Sequence, residues 1–398
     1  MKILILCSMD LKKKGADKTH LTEICANLKL LGNEILLMAP GYYPYKEIKL
    51  GFPIYFVKVV NKSYFSYLIY HIKLIYLFVL MLKRFKPDVV YSRDILIGFI
   101  LYRIAKTKKI PYIIEKNSII PDELSSRAFN KFFIKGNEIL ERLNAKNCDG
   151  IVAVTKGIKE ELIKRYKIYK GKISVIINGA NHVLFIPMDK NYVRKQLGLE
   201  NDTFIVGFSG SFAPWQNLDV LIDAVNVIKK KGCNYNIKYL LVGDGEMKSK
   251  ILKLITYYKL SSDFILPGRV EYEQVPKYIN ASDVVIVLKS KLSGAKLFSP
   301  LKFFEYAFCG VPIIFSNNII GEEIKEFKNK LGYEIHEDNS QELADAILRA
   351  YTNINKLRED INKIRNDLIK NYSWLNSAKQ LEKYLNSKLC ENNIINKK

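Results

Sequence analysis

Short apolar runs alternate with stretches of helical period along almost the whole chain. Runs at residues 2–6, 34–38, 54–60, 88–91, 112–115 and 150–154 read as buried strands, and the 3.6-residue period of 20–31 and 138–147 places helices between them. A second series starts near Phe204. It has strands at 204–208, 239–242, 264–266, 284–287 and 312–315, with helices such as 218–230 and 247–258 between them. Alternation of this kind predicts parallel sheets joined by crossover helices. The two series meet around 181–190. They predict an α/β protein of two Rossmann-like doubly wound domains facing a cleft. The tail after Leu389 reads as frayed.

Open α/β sheets bind ligands beyond the carboxyl ends of their strands. The most informative stretch there is 298–310, FSPLKFFEYAFCG, which runs into the strand at 312–315. Ser299 suits an N-cap, Pro300 the first helical position and Gly310 the stop. Lys302 falls in the first turn, where a cation opposes the helix dipole, and Glu305 lies three residues on, on the same face. A lysine and a carboxylate over an anion-receiving helix end suit a ligand with both a phosphate and hydroxyls. The same letters also fit an ordinary crossover helix carrying a surface ion pair. Glycine turns follow other strands. The basic turn 12–20 holds Gly15, 207–210 ends in Gly210, and 241–246 reads LVGDGE. None matches the dinucleotide fingerprint. Together with the 299–310 helix they favour one shared phosphate-bearing ligand.

Charge is uneven. The net formal charge is +23; residues 1–185 contribute +17 of it and the remainder +6. A basic first half suggests an anionic partner such as a membrane surface or a charged glycan, or a solvated lysine-rich face. No aromatic-basic motif of a nucleic-acid module is present, so nucleic acid is not expected. The six cysteines are scattered without metal spacing and read as small buried residues in a reducing compartment. The apolar segment 64–82 contains His71 and Lys73, which makes it a poor membrane span. It reads either as a core helix or as a helix lying partly on a membrane face.

The motifs taken in order resemble the family 4 glycosyltransferases (glycosyl transferases group 1), which have the GT-B fold. Residues 177–187 resemble the interdomain junction, with Asn181 where an Asp is usual. Residues 207–210 with 219–224, then 241–246, 268–270 with 275–283, and 299–312 resemble successive donor-domain motifs. The first half matches more loosely, at 15–28, 32–35 and 86–93. Tyr372-Ser373-Trp374 resembles the start of the last helix. The resemblance implies a division into 1–184, an acceptor-binding domain, and 185–372, a nucleotide-sugar donor domain, with a helix at about 373–389 packing back on the first. It implies a retaining glycosyltransferase, hexosyl or related, moving a sugar from a nucleotide-sugar to a glycan or lipid-linked acceptor in cell-surface polysaccharide or glycoconjugate synthesis. The enzyme would be cytoplasmic and peripheral at the inner membrane face.

Carried over by position, Glu305 would hold the ribose hydroxyls. Arg269, Val270 and Val275 would border the base. Gly15, Ala16, Gly210 and the backbone at Pro300 and Leu301 would approach the diphosphate. Asn117 would lie near the reacting sugar. The resemblance implies no metal and no cofactor beyond the co-substrate. Three departures bear on activity: Leu297 stands where the family has a second glutamate, and Ser211 and Gln216 stand where it has an Arg and a Lys on the phosphates. Fixed positive charge is needed where a diphosphate leaves. Lys302, Lys296 and Arg269 are the candidates to supply it, with Lys302 foremost. A catalytically silent GT-B scaffold that binds a glycan or partner is the alternative. An epimerase on the same fold would need denser catalytic carboxylates and histidines than four His allow.

Overall fold

The computed structural model describes residues 1–13, 15–43, 48, 50–60, 64–126, 129–232, 235–291, 301–317 and 322–397. It divides into two compact units: Met1–Asn178 with Trp374–Lys398, and Gly179–Ser373. The division thus falls after Asn178 rather than after residue 184.

The first unit runs β1 (Lys2–Cys7), α1 (Ala16–Leu30), β2 (Glu34–Tyr42), β3 (Ile54–Val59), α2 (Tyr64–Arg84), β4 (Val89–Arg93), α3 (Gly98–Thr107), β5 (Tyr112–Lys116), α4 (Ile120–Ser126), α5 (Lys131–Lys146), β6 (Gly150–Ala153), α6 (Lys156–Tyr166) and β7 (Ile173–Val175). The second runs α7 (Lys190–Leu197), β8 (Phe204–Ser209), α8 (Leu218–Lys230), β9 (Ile237–Val242), α9 (Lys248–Tyr257), β10 (Phe264–Gly268), α10 (Val275–Ala281), β11 (Val284–Val287), α11 (Leu301–Phe308), β12 (Ile313–Ser316), α12 (Lys328–Leu331), β13 (Gly332–Ile335) and α13 (Ser340–Tyr372). The chain ends in α14 (Trp374–Lys397), which belongs to the first unit. The tail read as frayed is therefore helical to residue 397.

Every sheet pairing is parallel. The strand orders are β3-β2-β1-β4-β5-β6-β7 and β10-β9-β8-β11-β12-β13. Each order reverses beside its first strand, at β1/β4 and at β8/β11, which opens a crevice at the carboxyl ends there. The central strands are apolar along their length because helices cover both faces: Ile3 to Leu6 and Val284 to Val287 are buried.

The largest buried charge of the second unit is fully paired. Fully buried Arg194 donates to the carbonyls of Ala281, Asn201 and Thr203 and to Asp283, whose other carboxylate oxygen takes Lys190 at 2.7 Å. The Ile205 N–H also donates to Asp283, so one carboxylate pins α7 to the start of β8. In the first unit α14 packs on α1, and Trp374 lies 5.0 Å from the His20 ring. Cys7, Cys25, Cys148 and Cys309 are buried free thiols, whereas Cys390 is exposed, which corrects the expectation that all are buried. Cys233 lies outside the described residues.

Candidate functional site

The second unit gathers its chemistry around α11. From Phe303 to Phe308 every residue of this helix is buried. An apolar surface on all sides suits a helix enclosed by its neighbours. Tyr306 fastens it to the end of β8: its hydroxyl accepts from the Ser209 N–H at 2.7 Å and donates to the Ser209 carbonyl at 3.1 Å. Phe304 stacks on Tyr372 at 4.9 Å. Lys302 and Glu305 are thus carried on a rigid element beside the strand-order reversal.

The two do not pair with each other, which corrects the surface-ion-pair reading. The Lys302 ammonium donates to Gln216 Oε1 at 2.7 Å and sits 4.1 Å from the centre of the Phe208 ring. The residue is partly exposed, yet protein packs densely around the charge. Burial pushes it down to about 7, with the Glu305 carboxylate pulling the other way. Glu305, only 9% exposed, accepts a hydrogen bond from the Tyr272 hydroxyl at 2.8 Å. Tyr272 lies in the turn after β10, and its ring meets Phe185 edge-on at 5.5 Å.

Gly210 has φ of 151°, and a Cβ there would lie 2.8 Å from the Lys302 ammonium. A Cβ on Gly243 would fall 1.8 Å from the Gly210 carbonyl. The Gly243 turn needs glycine because backbone fills the space of a Cβ, and both turns favour glycine through their positive φ.

Of the other sequence-derived positions, Leu301 begins α11. Pro300, Ser299, Leu297 and Lys296 lie outside the described residues. Arg269 is exposed and reaches Asp244 through its charge. Val270 packs against the Ile205, Leu240 and Val242 cluster, and Val275 opens α10. Sequence reasoning passed over Lys289, a lysine 5% exposed just past β11, whose ammonium burial also pushes down to about 7. Among the described residues no cluster of His, Cys, Asp or Glu could hold a metal ion.

The first unit has its own polar cluster at its strand-order reversal. Gly15 caps α1 with φ of 152°, and Ala16 opens the helix; both are exposed. Asn117, just past β5, donates to Glu115 Oε1 at 2.5 Å. Glu115 is the hub: His20 Nε2 lies 3.2 Å from Oε2, Arg93 Nε lies 3.5 Å from Oε1, and the Tyr91 hydroxyl donates to it. Burial alone would raise the Glu115 carboxyl. His20 and Arg93 beside it, with hydrogen bonds from His20 and Tyr91, hold it well below the usual carboxylate range. Arg93 also donates to the Asp17 carbonyl and to Asp17 Oδ1 at 2.9 Å, which ties the start of α1 to the end of β4. His20, at the border of the expected basic turn and helix, is a buried residue of α1, which already begins at Ala16. The sequence did carry a signal for this hub. Arg93, Glu115 and Lys116 close otherwise apolar strands, and charge inside a buried strand must find partners.

Two family models match the chain: Glycosyltransferase Family 4 over residues 18–183 and Glycosyl transferases group 1 over 189–367. With the two parallel α/β units, they show that the chain belongs to the family 4, group 1 glycosyltransferases of GT-B fold. A chitobiosyldiphosphodolichol beta-mannosyltransferase of Candida albicans is 24% identical over 67% of this chain and 60% of its own length. The Debaryomyces hansenii protein of the same name is 27% identical and is covered over 53%. An uncharacterized glycosyltransferase of Methanocaldococcus jannaschii is 22% identical over 92% of this chain and 93% of its own. Among solved structures, sucrose-phosphate synthase of Thermosynechococcus elongatus superposes with a TM-score of 0.77 at 16% identity, over 98% of this chain and 100% of that one. Anabaena HepE in complex with UDP-glucose gives 0.75 at 18%, over 97% and 100%. At these identities the structures speak for the fold.

Proposed function

We propose that this chain is a retaining glycosyltransferase that moves a hexosyl or related sugar from a nucleotide-sugar to a glycan or lipid-linked acceptor. One observation carries the reading: a single buried helix presents a cation and a carboxylate at the carboxyl edge of the second sheet, beside two glycine turns of positive φ. Lys302 meets the diphosphate and stabilises its charge as the glycosidic bond breaks. Glu305 takes the ribose hydroxyls, and Arg269, Val270 and Val275 border the base. The Gly210 turn and the backbone at Leu301 approach the diphosphate. The chemistry uses no metal and no cofactor besides the co-substrate. Relatives named for transfer to a dolichyl diphosphate-linked chitobiose and to poly(ribitol phosphate) support an acceptor of this class.

Glu305→Ala tests the donor site. Donor affinity is expected to fall by about 10- to 100-fold, the loss of a charge-assisted hydrogen-bond pair, while the melting temperature stays close to wild type. Calorimetric titration with a turned-over donor measures it, and NMR of the product reads the anomeric outcome. Equal affinity would remove Glu305 from the site; an inverted product would remove retention.

The first unit we place against an anionic membrane at the inner face. Among the described residues no helix is long and apolar enough to cross a membrane. Along α2, however, Leu68, Ile72 and Tyr76 are exposed at four-residue spacing, 47%, 62% and 67% respectively, and Lys73, Lys83 and Arg84 are exposed with them. An apolar stripe beside basic residues is the pattern of an interfacial helix. The full chain should sediment with anionic vesicles and not with neutral ones. Moderate salt should release it, since charge is screened over about 8 Å at physiological ionic strength. Equal binding to both vesicles would reject an anionic surface.

A further inference from the structure

Lys302 is a densely surrounded cation that forms no salt bridge among the described residues. Its ammonium has three N–H donors. One goes to the neutral amide oxygen of Gln216 and one side faces the Phe208 ring. Gln216 is itself held firmly. It closes a short 3-10 turn, Pro214–Gln216, and its N–H donates to the Ala213 carbonyl at 2.9 Å. The Trp215 carbonyl accepts from the Ser290 N–H just past β11, and the Asn217 side chain donates to Asp338. Asn217 adopts a left-handed φ of 50°. The turn is thereby tied to the end of β11 and to the loop before α13.

We infer that Gln216 is a positioning residue for the donor's diphosphate: its neutral amide fixes the Lys302 ammonium at the strand edge without cancelling its charge. The inference rests on the reading of this edge as the donor site. Identity at position 216 matters through charge. A carboxylate there would take the ammonium as a salt bridge and leave the diphosphate a neutralised partner. Loss of the ammonium itself, as in Lys302→Gln, would leave two neutral amides at the edge and no cation for the diphosphate. The pair is therefore matched, one cation and one neutral acceptor, and exchange of the two residues should preserve it.

The test compares wild type with Gln216→Glu, Lys302→Gln, the exchange Gln216→Lys/Lys302→Gln, and the near-isosteric Gln216→Met. Affinity for UDP, GDP and inorganic pyrophosphate is read by calorimetry, fold by thermal melting, and kcat and KM with a turned-over donor. Gln216→Glu and Lys302→Gln are expected to weaken nucleoside diphosphate binding about tenfold or more at unchanged melting temperature. The exchange variant is expected to recover to within about threefold of wild type. Gln216→Met, which keeps the bulk and loses the acceptor, is expected to lower kcat more than it raises KM. Wild-type affinity in Gln216→Glu would overturn the inference. So would an exchange variant as weak as Lys302→Gln alone. If wild type bound neither nucleoside diphosphate nor pyrophosphate, the donor-site reading itself would fall, and this inference with it.

Discussion

Lys302→Met is expected to lower turnover about a hundredfold, the loss typical of removing one preorganised charge stabiliser. Methionine keeps the stem against Phe208 and deletes the charge that Gln216 holds. Donor affinity should fall less than turnover, because the diphosphate gains charge as the bond to the sugar breaks. The proton on this lysine supplies a second readout. In the free protein its ammonium is pushed down to about 7, so above that pH the site is largely neutral. A bound diphosphate raises the pKa, and binding then takes up a proton. Affinity should be flat below pH 7 and fall by up to about tenfold per pH unit above it, until the bound pKa is reached. Calorimetry from pH 6 to 9 measures this slope, and the Met variant should lack it. Full turnover in that variant, or the same slope in both proteins, would exclude Lys302 and move the role to Arg269 or Lys289.

Glu115→Gln should cost the first unit about 3–5 kcal/mol, the penalty for breaking a buried ionic cluster while its other members stay buried. Arg93 would lose one of its counter-charges and His20 a charged neighbour, and both are less than 5% exposed. The pH dependence has a definite sign. The folded carboxyl sits below its unfolded value of 4.5, so its contribution is fully present above pH 4.5 and is lost as pH falls further. Glu115→Gln should unfold more easily at neutral pH and lack the wild-type decline below pH 4.5. Urea unfolding followed by Trp374 fluorescence in a Trp215→Phe background reports on this unit, because Trp374 lies on His20. An unchanged midpoint would show that the cluster contributes little net stability.

What could be read from the sequence follows from how local each feature is. Apolar runs flanked by glycine and polar turns located the long central strands, because burial on both faces leaves nothing else for those residues to do. The edge strands β7 and β13 escaped notice: Ile173–Val175 is three residues and Gly332–Ile335 four, half-buried at the sheet margin, too short to set a period. The lysine and glutamate of α11 stood out because their helix signals are local. Their partners did not, since Gln216 lies 86 residues from Lys302 and Tyr272 lies 33 from Glu305. The Glu115 hub joins α1, β4 and β5 and exists only after the sheet has formed.

Thermal melting against a panel of nucleotide-sugars tests the donor site most directly. A ligand at a hundred times its dissociation constant stabilises a folded protein by about 2.7 kcal/mol. At least one donor should raise the melting temperature of the wild-type chain accordingly. The shift should vanish in a Glu305→Ala/Lys302→Met variant whose ligand-free melting matches wild type. No shift from any donor, or an undiminished shift in that variant, would contradict the account.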